Sequence, residues 1–270
     1  LKLMYITNSE DVAHIAEEAG VDRIFVDMEY IGKTDRQGGM DTVQSRHTAD
    51  DVRRLAQCLN KSELFVRVNP IHEKTDKYSS SKEEIDEVIE AGADLLMLPY
   101  FKTAEEVQTF VKYVDGRAKT VLLVETPEAA AIAENLVKIP GIDEMFIGLN
   151  DLSLGYGKNF MFELLLDGTV EELCLKFRKG GIPYGFGGIA SLGKGMLPSE
   201  YVIKEHYRLG STCAILSRSF CRTDQVTDLK EIQKIFETEL PKIRQLEEEC
   251  SVHSQYFWKN RQQVETKIRQ

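Results

Sequence analysis

Two carboxylates close short apolar runs of this sequence. Glu125 ends Val-Leu-Leu-Val-Glu (121–125), and Asp151 lies just past Met-Phe-Ile-Gly-Leu-Asn (145–150). If the two runs are neighbouring parallel strands, both acids stand at one end of one sheet. Two hard oxygen ligands there would suit Mg²⁺ or Mn²⁺. A plainer reading stays open for each. Thr-Pro-Glu (126–128) reads as a helix start with proline at its first position, so Glu125 could be a cap. Asp151 lies in a turn-like stretch where Asx capping is common. Arg67 sits inside Phe-Val-Arg-Val (65–68), where a guanidinium cannot be left unpaired. Its planar fork matches a carboxylate or an enolate, and a structural ion pair with Asp27 or Glu29 is the alternative. His47 directly precedes a helix start and could serve as a general acid or base, or be an ordinary surface histidine. His14, His72, His206 and His253 lack the paired spacing of a zinc site. No serine-nucleophile elbow, P-loop or kinase motif is present.

These side chains need a frame, and one alternation repeats along the chain. Strand-like runs at 3–7, 23–27, 64–68, 94–98, 120–124, 144–147, 183–186 and 213–216 alternate with helical spacings at 10–19, 48–59, 81–91, 103–114, 127–137, 168–178 and 198–209. Short continuous apolar strands are those of a parallel sheet buried on both faces. Eight such units close most naturally into a (β/α)₈ barrel. The competing open, doubly wound sheet would ask for a glycine fingerprint after the first strand, and that turn is Asn8-Ser9-Glu10. The expected organisation is an α/β TIM barrel over 1–222 with a C-terminal helical extension over 223–270. Pro241 is expected to interrupt that extension, and its aromatic cluster, Tyr256 to Trp258, to pack on the same or a partner subunit. In a barrel, chemistry gathers where strands end. The residues there are polar: Asp27 and Glu29, Arg67 and Asn69, Glu125, Asn150 and Asp151, Ser217 and Arg218. The glycines between 180 and 195 either shape a phosphate pocket or allow close backbone packing.

Composition narrows the function classes. A net charge of −10 over 270 residues argues against a nucleic-acid or anionic-membrane partner, which would need a clustered basic face. Five cysteines without C-x-x-C spacing point to a reducing, cytoplasmic compartment. No apolar run approaches the roughly 18 residues of a membrane span, and no signal-peptide pattern is visible.

Four stretches, in this order, resemble the HpcH/HpaI aldolase and citrate lyase β-subunit-like family of metal-dependent (β/α)₈ lyases. They are Val-Asp-Met-Glu (26–29), Val-Arg-Val-Asn-Pro (66–70), Val-Glu-Thr-Pro-Glu-Ala (124–129) and Phe-Ile-Gly-Leu-Asn-Asp-Leu-Ser (146–153). The resemblance implies that Glu125 and Asp151 ligate Mg²⁺ or Mn²⁺ and that the ion holds the two oxygens of a 2-oxo acid. Arg67 would stabilise a pyruvate enolate, with Asp27, Glu29 and His47 completing the catalytic set. Gly148, Asn150, Ser153 and Tyr30 would line the oxo-acid pocket. The implied reaction is reversible cleavage of a 4-hydroxy-2-oxo acid into pyruvate and an aldehyde, in a homo-oligomer, trimer or hexamer. A divalent Lewis acid is what an enolate needs where no Schiff-base lysine exists, and the strand-like runs at 120–124, 144–147 and 183–186 hold no lysine. Two departures stand out. The aldolase branch has a histidine directly after the acidic pair of strand two, where this chain has Tyr30. Arg46-His47-Thr48 resembles that histidine segment after an insertion, and the loop from Gly32 to Gln44 would then cover the mouth. Leu123 replaces a frequent glutamine. An acyl-CoA lyase of the citrate lyase or malyl-CoA type, and a carboxylate-binding barrel without turnover, are the alternatives.

Overall fold

A computed structural model describes residues 1–32 and 46–269. Eight parallel strands pair in sequence order and close into a barrel: β1 (Lys2–Ile6), β2 (Arg23–Asp27), β3 (Glu63–Arg67), β4 (Leu95–Leu98), β5 (Lys119–Val124), β6 (Glu144–Ile147), β7 (Tyr184–Ile189) and β8 (Cys213–Leu216). The last pairs with the first through Met4 opposite Ile215. The expected TIM barrel is therefore the fold. The helices between strands are α1 (Glu10–Glu18), α2 (Ala49–Cys58), α3 (Ser81–Glu90), α4 (Ala104–Val114), α5 (Pro127–Ala131), α6 (Ala133–Leu136), α7 (Leu149–Gly155), α8 (Glu163–Leu166), α9 (Thr169–Lys179) and α10 (Ser199–Leu209). Local chemistry explains several starts. Thr48, Ser80 and Thr103 each cap a helix reciprocally with an acid three residues on. The helical spacing at 127–137 divides at Ile132 into α5 and α6.

Strand residues alternate between two cores. Outward positions such as Ile24, Val26, Leu64 and Val66 meet the helices. Inward positions Met4, Phe25, Phe65, Met97, Leu123 and Phe146 fill the barrel. On β2 and β3 this inner column reads Arg23-Phe25-Asp27 and Glu63-Phe65-Arg67, so charged layers bracket an aromatic one. At the lower end Arg23, only 2% exposed, makes two bonds to Glu144 (2.7 and 2.9 Å) and one to Glu63 (3.0 Å). Lys119 reaches Glu63 at 2.6 Å.

Two further helices, α11 (Leu229–Val252) and α12 (Phe257–Ile268), follow β8. They correct one expectation: Pro241 lies inside α11 without ending it. Proline removes one backbone bond there, but Ile232, Phe236, Leu240 and Ile243 bury on both sides of it and hold the helix together. Phe236 reaches Tyr5 of β1 and Phe220 with ring centroids 5.0 and 5.1 Å apart. Tyr256 and Phe257 form an edge contact, while Trp258 is exposed. Among the described residues no helix is long and apolar enough to cross a membrane.

Burial raises the Glu63 carboxyl, but hydrogen bonds from Lys119 and Arg23 outweigh it and hold the group at about 2, below its ordinary 4.5. A carboxyl lowered by folding stabilises the fold above its ordinary value and loses that contribution as pH falls toward about 2. Stability should therefore drop in that acid range. Arg23→Leu, which leaves Glu144 buried without its guanidinium, should cost about 3–5 kcal/mol in urea unfolding at neutral pH. A loss under about 1 kcal/mol would mean that the barrel floor carries little of the stability.

Candidate active site

Inward positions at the upper ends of the strands bring acids and an arginine together. Asp27 and Arg67 are register partners on β2 and β3. Arg67 Nε donates to Asp27 Oδ1 at 2.8 Å and Nη2 to Oδ2 at 2.7 Å, a bidentate fork, while Nη1 lies 3.4 Å from Glu29 Oε2. Burial alone would lower the guanidinium's affinity for its proton, but Asp27 and then Glu29 raise it well above the ordinary value, so Arg67 is a fixed cation. The ion pair offered as an alternative is thus present, and it leaves the arginine in the mouth. Of the five N–H groups, the two donated to Asp27 and the one nearest Glu29 are committed; the other two make no hydrogen bond among the described residues.

The chain from β2 to α2 is pinned around this pair. The Asp27 N–H donates to His47 Nδ1 at 3.0 Å. Asn69 Oδ1 accepts from the N–H groups of Tyr30 and Ile31, both at 3.0 Å, and Asn69 Nδ2 donates to Glu84 at 2.8 Å. Asp27, Glu29 and Asn69 are all buried.

Glu125 follows β5 and Asp151 belongs to the first turn of α7, after β6. Neither is a helix cap by its side chain. Thr126 takes the cap of α5, accepting from Ala129 N, and α7 begins at Gly148 without a side-chain cap bond. Glu125 Oε1 accepts the Tyr100 N–H at 2.9 Å, and Asp151 Oδ1 accepts from Asn150 Nδ2 at 3.1 Å. Tyr100 has φ = 49°, a left-handed conformation strained for a tyrosine, which its bond to Glu125 helps hold. Gly148 leaves room beside the acid, since a Cβ there would sit 2.7 Å from Glu125 Cβ and 2.9 Å from Oε2. Glu125, Asp151, Arg67, Gly148 and Asn150 line one cavity of about 190 Å³, floored by Leu123 and Phe146. An outer cleft of about 340 Å³ adjoins both acids, with Tyr100 and Lys102 on its rim. Two carboxylates on one small cavity fit a hard divalent cation that takes its other ligands from water or substrate. Among the described residues the one cluster of three candidate ligands, His14, Glu17 and Glu18, lies elsewhere, on α1.

Not every expected residue joins this set. His47 lines a cavity of about 590 Å³ together with Asp27, Arg67 and Asn150. Tyr30 does not: it is 44% exposed, and its ring packs on Tyr78 with centroids 5.3 Å apart. Ser153 is buried and turned into its own helix, where Oγ donates to the Asn150 carbonyl at 2.7 Å. Glu29 touches the site through Arg67. The loop expected to cover the mouth falls, from residue 33 to residue 45, outside the described residues. Of the glycines near β7, Gly185 serves close packing, because a Cβ would lie 2.3 Å from the Cys213 carbonyl, whereas Gly188 lines the His47 cavity. Tyr100, Lys102, Thr7 and Asn8 were not singled out in the sequence. The proline before Tyr100 marked only the end of a strand, and nothing local marks a backbone N–H aimed at an acid one strand away.

Gly148→Ala tests the cradle. It should weaken Mn²⁺ binding by about 10- to 100-fold in calorimetry while the circular dichroism spectrum stays that of the parent protein. Undiminished affinity would mean that the ion binds elsewhere.

Comparison with known proteins bears on the fold and the family. The fold is similar to three solved structures in particular. An HpcH/HpaI aldolase from Desulfitobacterium hafniense DCB-2 is 15% identical with a TM-score of 0.62, covering 86% of this chain and 93% of that one. An HpcH/HpaI aldolase/citrate lyase family protein from Burkholderia cenocepacia J2315 is 14% identical with a TM-score of 0.60, covering 86% and 94%. The citrate synthase SbnG is 15% identical with a TM-score of 0.58, covering 90% and 93%. At such identities the likeness speaks for the fold alone. No curated protein matches the sequence. Residues 2–164, more than half of the chain, match the family profile described as HpcH/HpaI aldolase/citrate lyase. By that match the chain belongs to the HpcH/HpaI aldolase/citrate lyase family.

Proposed function

We propose that this barrel is a divalent-metal-dependent aldehyde-lyase that reversibly cleaves a 4-hydroxy-2-oxo acid into pyruvate, or a related 2-oxo acid, and an aldehyde. The observation that carries the reading is the shared cavity of Glu125, Asp151 and Arg67. Family membership supports carbon–carbon lyase chemistry in general; the substrate and the ion are our assignment. Glu125 and Asp151 would hold Mg²⁺ or Mn²⁺, which when bound supplies the Lewis acidity that an enolate requires.

The chain's own residues account for the rest. Arg67 is already oriented by Asp27 and Glu29, so its positive charge meets the developing enolate without reorganisation. Gly148 and Asn150 wall the oxo-acid side, and Leu123 and Phe146 exclude water beneath it. His47 handles the aldehyde oxygen. Its Nδ1 accepts from Asp27 N–H, so the neutral ring carries its proton on Nε2 and acts as a hydrogen-bond donor. In the condensation direction Nε2–H polarises the aldehyde carbonyl, and cavity water supplies the proton that turns the new alkoxide into a hydroxyl. In cleavage the 4-hydroxyl proton passes to the hydroxide left by that water as the C3–C4 bond breaks, the bond's electron pair enters the enolate, and the re-formed water gives a proton to C3 to release pyruvate.

The assay is pyruvate release from 4-hydroxy-2-oxo acids. EDTA should abolish it and Mg²⁺ or Mn²⁺ should restore it; full activity under chelation sinks the role given to the acids. Arg67→Lys should lower kcat by about 10²- to 10³-fold, because a point charge cannot keep both the Asp27 fork and an enolate contact. His47→Asn should lower it by at least about 10²-fold.

A further inference from the structure

One buried acid close to the mouth has no part in the reaction proposed above. Glu84 lies in the first turn of α3, on the buried face that also carries Ser81, Ile85 and Val88. It is only 6% exposed. Its Oε1 accepts two bonds from one residue, the Asn69 N–H at 3.2 Å and Asn69 Nδ2 at 2.8 Å. Its Oε2 is buried and has no hydrogen-bond partner among the described residues. A bare carboxyl oxygen out of water costs stability, and an apolar side chain of similar size would not. Burial accordingly pushes the Glu84 carboxyl above its ordinary range, against the pull of both Asn69 bonds. An acid kept under that penalty points to a task other than holding the fold.

That task is visible in what Asn69 does. Every hydrogen-bonding position of its amide is used. Oδ1 accepts from the N–H groups of Tyr30 and Ile31, and Nδ2 donates to Glu84 and, at 3.2 Å, to the Met28 carbonyl. The bonds to Met28 and Tyr30 grip the backbone on either side of Glu29. Glu29 in turn lies 3.4 Å from Arg67 Nη1, and its own N–H donates to Asp27 Oδ1 at 3.2 Å, the oxygen that also receives Arg67 Nε. A continuous set of bonds thus runs from α3 through Asn69 to both acids that orient the guanidinium. Glu84 is its outer anchor, because the Asn69 amide and main-chain N–H both end on it.

We propose that Glu84 is a positioning residue for the lyase reaction: through Asn69 it fixes the backbone around Glu29 and so sets the angle at which Arg67 meets the enolate. It acts on neither substrate nor metal directly. This inference rests on the aldol reading above. The neutral acid suffices for the role, since what Asn69 needs is an oxygen acceptor, and a glutamine supplies one at the same reach. Removing the acceptor acts on the step in which charge develops beside Arg67. It leaves the ion site alone, because Glu125 and Asp151 are carried by the ends of other strands.

The test follows exchange of pyruvate methyl protons in D₂O, the kcat of pyruvate release, and Mn²⁺ binding by calorimetry. In Glu84→Leu both rates should fall by about 10- to 100-fold, with little change in KM and with the Mn²⁺ affinity of the wild-type protein. Glu84→Gln should recover most of the loss. In a double-mutant cycle with Asn69→Ala the two losses should not add, because both variants break the same link. Should Glu84→Leu fail to fold, Glu84→Asp carries the test: it keeps a carboxyl but withdraws it by one methylene from Asn69, and the same losses are expected. Wild-type rates in the folded variant overturn the inference. So do losses that glutamine fails to recover, or that come with a weakened Mn²⁺ affinity, as a general loosening of the barrel would give. If the metal-loaded wild-type protein exchanges no methyl protons, the aldol reading falls and this one with it; wild-type exchange matched by equal exchange in Glu84→Leu removes Glu84 alone.

Discussion

The closed parallel barrel imposes one constraint on everything else: alternate strand residues must point into a space that only side chains can fill. This chain fills the middle of that space with Phe25, Phe65, Met97, Leu123 and Phe146. It sends the charges of the same columns to the two ends. Arg23, Glu63 and Glu144 close the floor, and Asp27, Arg67 and Glu125 open the mouth. The two arginines have opposite tasks because of where the period places them. Arg23 is spent on neutralising buried acids, while Arg67, one layer above the phenylalanines, is anchored by acids and still meets a cavity.

Anchoring is costly unless paired. A guanidinium and two carboxylates taken out of water repel or strain their surroundings unless each oxygen and N–H finds a partner. The structure meets this with backbone as much as with side chains. The Glu29 N–H bonds Asp27, the Asp27 N–H bonds His47, and the Tyr100 N–H bonds Glu125. Each of these bonds also fixes a functional atom, so the chemistry we propose follows from the way the buried charges are satisfied. The tautomer of His47 is the clearest instance, because it is set by an amide of the residue that grips Arg67.

The mouth divides into two regions of different character. Beneath Glu125 and Asp151 the cavity is small and apolar-floored. Toward β8 and β1 it is larger and more polar, with Thr7, Asn8, Ser217, Arg218 and Asp224 along it.

The barrel and the family were legible from the sequence, for a physical reason. Eight buried strands need eight apolar runs, and each run must end where polar residues take over, so periodicity alone counts the units and names Asp27, Arg67, Glu125 and Asp151 as strand-end residues. The four stretches around them carry the family resemblance that the profile match later established over residues 2–164. Helix continuity was less legible. Pro241 reads as a break, and only burial of Phe236, Leu240 and Ile243 against the barrel keeps α11 whole. Side-chain direction was not legible at all. Tyr30 and Ser153 have the right types in the right places along the chain, yet one ring lies on Tyr78 and the other hydroxyl bonds its own helix. His47 enters the mouth from a position twenty residues past Asp27, and Tyr100 supplies a backbone donor that no side-chain motif announces. Sequence determines which residues reach the end of a strand, because that depends on local period. Which of them face the same cavity depends on contacts between segments far apart in the chain, and only the closed barrel decides that.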